Sequence, residues 1–242
     1  MKILSIGNSF SQDAQRYLHR LAKHDGVDMK TVNLFIGGCS LSEHHTNILE
    51  DNAKYTFEFN GENTGIKVYI RQALESDDWD FVTLQQASRY SPDYTTYTPH
   101  LEAVAEYVRK HCPTAKILIH NTWAYEDGSD RLLELLKYNK AKDMLRDVNA
   151  SYKKAAKEIN ADGIIPCGIA MMNALDFGIK QIHRDMFHAG WGAGRYLLSL
   201  TWYKHLTGND ISNNSFNDFD VPVTDEEREI VIKAVNEAFS SF

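Results

Sequence analysis

The chain has 242 residues, 43% hydrophobic and 24% charged, the balance of an ordinary soluble globular protein with enough length for a sizeable core. A formal net charge of −7 with no basic stripe argues against a nucleic-acid binder, and no apolar run approaches the roughly 20 residues of a membrane span. Three widely spaced cysteines, Cys39, Cys112 and Cys167, contain no CxxC pair; they argue against a disulfide framework or zinc cluster and read as small buried hydrophobes.

Met1-Lys2 leads directly into an apolar run with no leader-like segment. The chain therefore reads as cytoplasmic if complete, and as periplasmic or secreted if a leader has been removed. The run KILSIG (2–7) stops at a glycine, and Asn8, Ser9, Phe10 and Ser11 precede a helical pattern over 12–24. TVNLFI (31–36) predicts a second strand, ending at Gly37-Gly38-Cys39-Ser40, after which EHH (43–45) reads as a solvated stretch. Residues 46–66 break the rhythm: alternation around Asn60-Gly61 predicts a small hairpin excursion. A helix over 68–77, a strand FVTLQQ (81–86), a helix over 99–111 and a strand KILIHN (116–121) follow, then a charged surface segment over 124–141. Met144, Leu145, Val148, Tyr152, Ala155, Ala156 and Ile159 recur at helical spacing and predict a helix over 142–160. GIIPCG (163–168) predicts the fifth strand, and helices over 190–206 and 224–240 close the chain, the last opened by a Thr224/Glu227 capping box.

The strands are apolar on both faces, as in a parallel sheet, and alternate with helices. They predict a three-layer α/β/α sandwich, flavodoxin-like, with about five parallel strands in a single domain over 1–242. Sites in such sheets form beyond the carboxyl ends of the strands. There is no GxxxxGK[ST], GNSFSQ lacks the glycines of GxGxxG, and no GxSxG surrounds Ser9. The stretch QIHRDMFHAGWGAGRYLL (181–198) is the other polar concentration. Asp185 and His188 are three residues apart, a spacing that lets the carboxylate hold Nδ1 of the imidazole while Nε2 faces outward. Ser9, brought near by the fold, would then be the nucleophile of a Ser–His–Asp device. Acyl transfer also needs donors for an oxyanion: the N–H groups of Ser9 and of the Gly37-Gly38 turn are candidates, as is the amide of Gln86 or Gln85. Asn8 either braces the turn or touches substrate. Trp123 and Tyr125, with Tyr90 and Trp191, fall where aromatic rings could stack on a sugar. His183 could share a metal with His188 or Asp185, but no second group of ligands accompanies them.

At these residues the chain resembles a known family. GNSF (7–10) resembles the GDS(L) block of the SGNH, or GDSL-type, hydrolases, and DMFH (185–188) resembles their DxxH block. VNLFIGG (32–38) resembles their second block, whose oxyanion glycine falls on Gly38. The order and spacing of the blocks span nearly the whole chain, and GNSF and LQQAS are most similar to a bacterial branch of that superfamily. The resemblance implies Ser9 as nucleophile, His188 as general base and Asp185 as its orienter. It implies ester hydrolysis, often removal of acetyl groups from carbohydrates, on a small-molecule or carbohydrate ester, with no metal or organic cofactor. At the third block the family has GxND, whose Asn amide completes the oxyanion hole; here LQQAS leaves that role to Gln86 or Gln85. Two other readings stand beside the hydrolase: a flavodoxin-like module holding phosphate or a nucleotide on its first loop, and a non-catalytic carbohydrate-binding relic of the hydrolase fold.

Overall fold

A computed structural model describes residues 1–240 in full and the backbone of Ser241. In chain order the elements are β1 (Lys2–Gly7), α1 (Ser9–Gln15), α2 (Leu18–His24), β2 (Lys30–Phe35), α3 (Leu41–Glu50), β3 (Tyr55–Phe59), β4 (Glu62–Val68) and α4 (Ile70–Leu74). They continue with β5 (Phe81–Leu84), α5 (His100–His111), β6 (Lys116–His120), α6 (Ala141–Glu158), β7 (Gly163–Ile165), α7 (Cys167–Asp176), α8 (Ala193–Thr207) and α9 (Asp225–Ser241).

The sheet has seven strands in the order β4-β3-β2-β1-β5-β6-β7. The five expected strands are the parallel ones, and their apolar runs are buried against helices on both faces. The 55–68 hairpin is no excursion: β3 pairs antiparallel with β2, and β4 with β3, so it extends the sheet by two strands beyond β2. β1 lies between β2 and β5. The chain therefore leaves neighbouring strands in opposite directions there, and a crevice opens at their carboxyl ends.

The helices form two groups. α1, α2, α7 and α9 pack around α8, and α3 and α4 pack with α5. The α6 stripe works as its spacing predicts: Met144, Leu145, Val148, Tyr152 and Ala155 are buried. α8 is buried without interruption from Ala193 to Tyr203, and its polar members are paired inside: Arg195 with Asp13, Ser199 with Ala14 O and Thr201 with Leu197 O. No described helix is long and apolar enough to cross a membrane.

Three helices differ from the sequence expectation. α3 occupies residues read as solvated, held by a capping box in which Ser40 and Glu43 satisfy each other's backbone. α7 begins at Cys167, so the fifth strand is only three residues long; Pro166, which has no N–H to give to a ladder, sits at the junction. The first helix also starts earlier than expected, at Ser9, and breaks around Arg16 and Tyr17 before α2.

Candidate active site

The site begins with the turn out of β1. Asn8 is the N-cap of α1: its Oδ1 accepts from Phe10 N at 3.0 Å, and its own N–H donates to Ser11 Oγ at 3.1 Å. Gly7 is required for close approach, since a Cβ there would sit 2.1 Å from Ser11 Oγ. The cap puts Ser9 at the first helical position, half-buried, with its backbone N–H among those a helix start leaves without an intrahelical acceptor. Asn8 is also tied to the turns that follow two strands: its Nδ2 donates to Cys39 O after β2 at 3.0 Å, and its Oδ1 accepts from Gln85 Nε2 after β5 at 2.8 Å. Ser11, the other hydroxyl of this turn, is buried and donates to Asn33 Oδ1 at 2.8 Å. Only Ser9 presents its oxygen outward.

The second part is the loop before α8. It closes on itself through a bridge between His183 and Ala189, with Arg184 N donating to His188 O at 3.0 Å. Within it Asp185 accepts from His188 N at 2.8 Å through Oδ1 and meets His188 Nδ1 at 2.7 Å through Oδ2. His188 Nε2 lies 2.8 Å from Ser9 Oγ, so two residues 179 apart in sequence are in hydrogen-bond contact. An ionised carboxylate only accepts, so the Nδ1 proton belongs to the imidazole, and Nε2 is then the acceptor for the Ser9 hydroxyl. Burial opposes ionisation of Asp185, but the hydrogen bonds from the His188 ring and backbone outweigh it and hold the carboxyl below its usual range. Met186 sits between these residues at φ 72, a left-handed conformation that costs a side chain strain; its side chain is exposed, and its carbonyl oxygen is held by Glu126 N.

Three contacts fix the loop against the rest of the site. Glu126 N donates to Met186 O at 2.8 Å, and Trp123 Nε1 donates to Phe187 O at 2.8 Å. The third is His183, buried, with Nε2 on Ala124 O at 3.1 Å. Burial lowers its pKa to about 4. An unfolded chain protonates this imidazole near pH 6.5, whereas the folded chain resists to about 4; stability is therefore lost as pH falls through that window. The contribution is at most about 3 kcal/mol, with a slope of about 1.4 kcal/mol per pH unit. Urea unfolding of the parent chain and of His183→Gln between neutral pH and the acid end of that window should show the variant losing less stability on acidification. Parallel curves would remove His183 as a contributor.

Ser9 and His188 open into a cavity of about 300 Å³. Gly37 and Gly38 line it after β2, Ala87, Ser88 and Arg89 after β5, and Tyr125 after β6, with Phe10, Arg131 and Phe187 around them. Gly38 has φ +64, the left-handed region that favours glycine, and among the described residues nothing accepts from its N–H. Tyr125 lines the cavity with its hydroxyl 2.8 Å from Ser88 Oγ.

The glutamine expectation is corrected. Gln86 Oε1 accepts from Leu41 N and Ala87 N, both at 2.9 Å, and its Nε2 donates to Thr96. Gln85 Nε2 goes to Asn8, and its Oε1 is 2.7 Å from His120 Nδ1, whose ring burial keeps neutral by lowering its pKa to about 3. Both side chains are buried and neither lines the cavity, so neither amide faces an oxyanion there. They brace the turns that carry Asn8 and α3. Trp123 is corrected in the same way: it is fully buried, stacked on Phe10 at 4.2 Å, behind the cavity wall. Trp191 has the guanidinium groups of Arg184 and Arg195 over its ring, each 4.1 Å from the centroid, and lies outside the cavity. Arg89, Arg131 and Phe187 are among the lining residues that sequence reasoning did not single out. The three cysteines are buried and free, with thiol pKa values raised by burial.

The fold that carries this arrangement is the α/β/α fold of the SGNH hydrolases. A putative SGNH hydrolase from Slackia heliotrinireducens superimposes with a TM-score of 0.61 at 23% identity, over 85% of this chain and 98% of its own. An acetylxylan esterase from Geobacillus stearothermophilus superimposes at 0.53 with 14% identity, over 85% of this chain and 94% of its own. Within that fold the chain belongs to the DUF4886 family, a domain of unknown function whose model matches residues 2–238. A crystal structure of a DUF4886 family protein from Bacteroides uniformis ATCC 8492 is similar over 100% of this chain and 95% of its own, with a TM-score of 0.91 and 31% identity. A search of curated proteins finds no match to the chain.

Proposed function

We propose that the protein is a serine ester hydrolase in which Ser9 is the nucleophile, His188 the general base and Asp185 the group that orients and charges the base. The observation that carries this reading is the continuous hydrogen-bonded line from Asp185 Oδ2 through His188 to Ser9 Oγ, 2.7 and 2.8 Å. In the acylation step His188 Nε2 takes the Ser9 proton as Oγ bonds to the ester carbonyl carbon. The carbonyl electrons move onto oxygen, where the N–H groups of Ser9 and Gly38 are the donors proposed to receive them. Collapse of the tetrahedral intermediate expels the alcohol, which leaves with the proton that His188 returns. Water then attacks the acyl-enzyme along the same path and releases the acid.

Gly37, Gly38 and Ala87, which line the cavity with Ser9, carry at most a methyl group, and the small space beside them is the proposed place of a short acyl group. The acetylxylan esterase of the same fold acts, by its name, on acetyl esters of a carbohydrate. The reading for this chain is an O-acetylesterase or similar short-acyl esterase acting on a carbohydrate or comparable small alcohol.

A fluorophosphonate probe tests the nucleophile without knowledge of the substrate. We expect one covalent adduct per chain by intact mass, mapped by peptide sequencing to Ser9 and abolished by prior denaturation. No adduct, or an adduct at another serine, would remove Ser9 as nucleophile and favour a binding role for the cavity.

A further inference from the structure

Arg89 and Arg131 stand apart from the other arginines of the chain. Of the ten, eight hold a carboxylate or, for Arg109, a backbone carbonyl. Among the described residues the guanidinium groups of Arg89 and Arg131 have neither a salt bridge nor a hydrogen bond. Each instead lies over an aromatic ring: Arg89 is 4.7 Å from the Tyr90 centroid and Arg131 is 4.1 Å from that of Phe187. Stacking of this kind holds the guanidinium plane while leaving its N–H edge free.

Their location gives the free edges a use. Both arginines line the cavity that contains Ser9 and His188, and no acidic residue lines it. They arrive from different elements, Arg89 after β5 and Arg131 from the start of a short π-helix (Arg131–Leu135) before α6, and both charges act on the same Tyr125 hydroxyl. A Cβ placed on Gly38 would be 3.9 Å from Arg89 Nη1, so this guanidinium reaches the proposed oxyanion turn. Phe187, which carries Arg131, is next to His188, with ring centroids 3.9 Å apart. In a chain of net charge −7, two uncompensated cations converging on one small cavity are a local reversal of sign.

We propose that Arg89 and Arg131 form a subsite for an anionic group, carboxylate or phosphate, on the alcohol portion of the ester. This rests on the hydrolase reading above and deepens it: the substrate class becomes an acetylated acidic sugar or other anionic alcohol. The short acyl group occupies the glycine- and alanine-lined wall by Ser9, and the alcohol extends toward the two guanidinium groups. Arginine suits the task because its planar fork meets a carboxylate or phosphate with two parallel N–H···O bonds. The anion adds binding to the alcohol half of the substrate and takes no part in bond making or breaking.

The test compares acetate esters that differ in charge but share a phenol leaving group. These are para-acetoxyphenylpropanoate, its primary amide, and para-acetoxybenzyl phosphate. The readout is the kcat/KM of each anionic ester divided by that of the amide, a ratio independent of how much of a preparation is active. We expect the ratio in the parent chain to favour an anionic ester by about 10- to 100-fold, the range of charge-assisted hydrogen bonds. Preference for the carboxylate or for the phosphate ester identifies which anion the subsite takes. The preference should shrink with added salt, collapse toward unity in Arg89→Met/Arg131→Met, and survive in part in the corresponding double Lys variant. A ratio near unity in the parent chain, or one unchanged in the Met variant, would overturn the subsite while Ser9 labelling leaves the hydrolase reading standing. Loss of labelling together with absence of turnover on all three esters would remove both.

Discussion

Ser9→Ala should lower kcat/KM for acetyl-ester hydrolysis by on the order of 10⁴-fold or more while leaving the urea midpoint unchanged. The two halves of that expectation have separate causes. The activity half follows from Ser9 Oγ being the atom that His188 Nε2 contacts at 2.8 Å; alanine leaves the base with nothing to deprotonate. The stability half follows from Asn8, not Ser9, being the cap of α1, so the helix start does not depend on the Ser9 hydroxyl. His188→Ala should cost a similar factor. The double variant should cost no more than either single one, because members of a relay act as a unit and their effects do not add. Asp185→Asn keeps the size of the group but replaces an acceptor-only carboxylate with an amide, which can hold the wrong tautomer; a loss of about 10⁴-fold follows. Hydrolysis of para-nitrophenyl acetate by purified parent and variant chains measures all of this. Equal rates for parent and Ser9→Ala would end the hydrolase reading and leave a binding module on a hydrolase fold.

The frame of this site was readable because its parts follow short-range rules. A run buried on both faces, such as Ile117-Leu118-Ile119, needs only apolar side chains in sequence, and Asn-Gly at 60–61 needs only its turn chemistry. The spacing of Asp185 and His188 is likewise local, and the resemblance to GDSL-type blocks paired it with Ser9, a contact that no local rule supplies. What escaped depended on partners far away in sequence. Gln85 and Gln86 sit at a strand end where an amide could face a ligand, but Asn8 and His120 claim one, and Leu41 and Thr96 claim the other. Composition cannot tell a presented amide from a satisfied one. α3 was hidden because its buried face is Leu41, His44 and Asn47, two of them polar, so the apolar period that marks a helix is absent even though Ser40 and Glu43 form a clear capping box. Arg131 lay in a segment whose charges looked like solvated surface; only its position over Phe187, beside His188, gives it a role.

Asp13→Ala should destabilise the fold by about 3–5 kcal/mol, the cost of stripping a buried ion network of its counter-charge. Asp13 is fully buried on α1, four residues after Ser9. Its carboxylate takes Arg184 Nη1 at 2.8 and 3.0 Å, together with Arg195 Nε at 2.9 Å and Nη2 at 2.8 Å. Arg184 adjoins Asp185 in the His188 loop, and its Nη1 also donates to Ala189 O; Arg195 lies in the first turns of α8 and continues to Asp220. One carboxylate thus ties the helix that carries the nucleophile to the loop that carries the base. Removing it leaves two guanidinium groups, 15% and 8% exposed at the side chain, Arg184 without a carboxylate partner and Arg195 with only Asp220 at 3.3 Å. The urea midpoint should fall with the slope unchanged. Adding Arg195→Met to Asp13→Ala should recover part of the loss, because one of the two buried charges that Asp13 balanced is then gone. Asp143→Ala, which breaks the surface pair with Arg146, should change nothing measurable. If Asp13→Ala behaves like Asp143→Ala, water reaches the Asp13 network, and the register between Ser9 and His188 is set instead by the contacts at Ala124, Glu126 and Trp123.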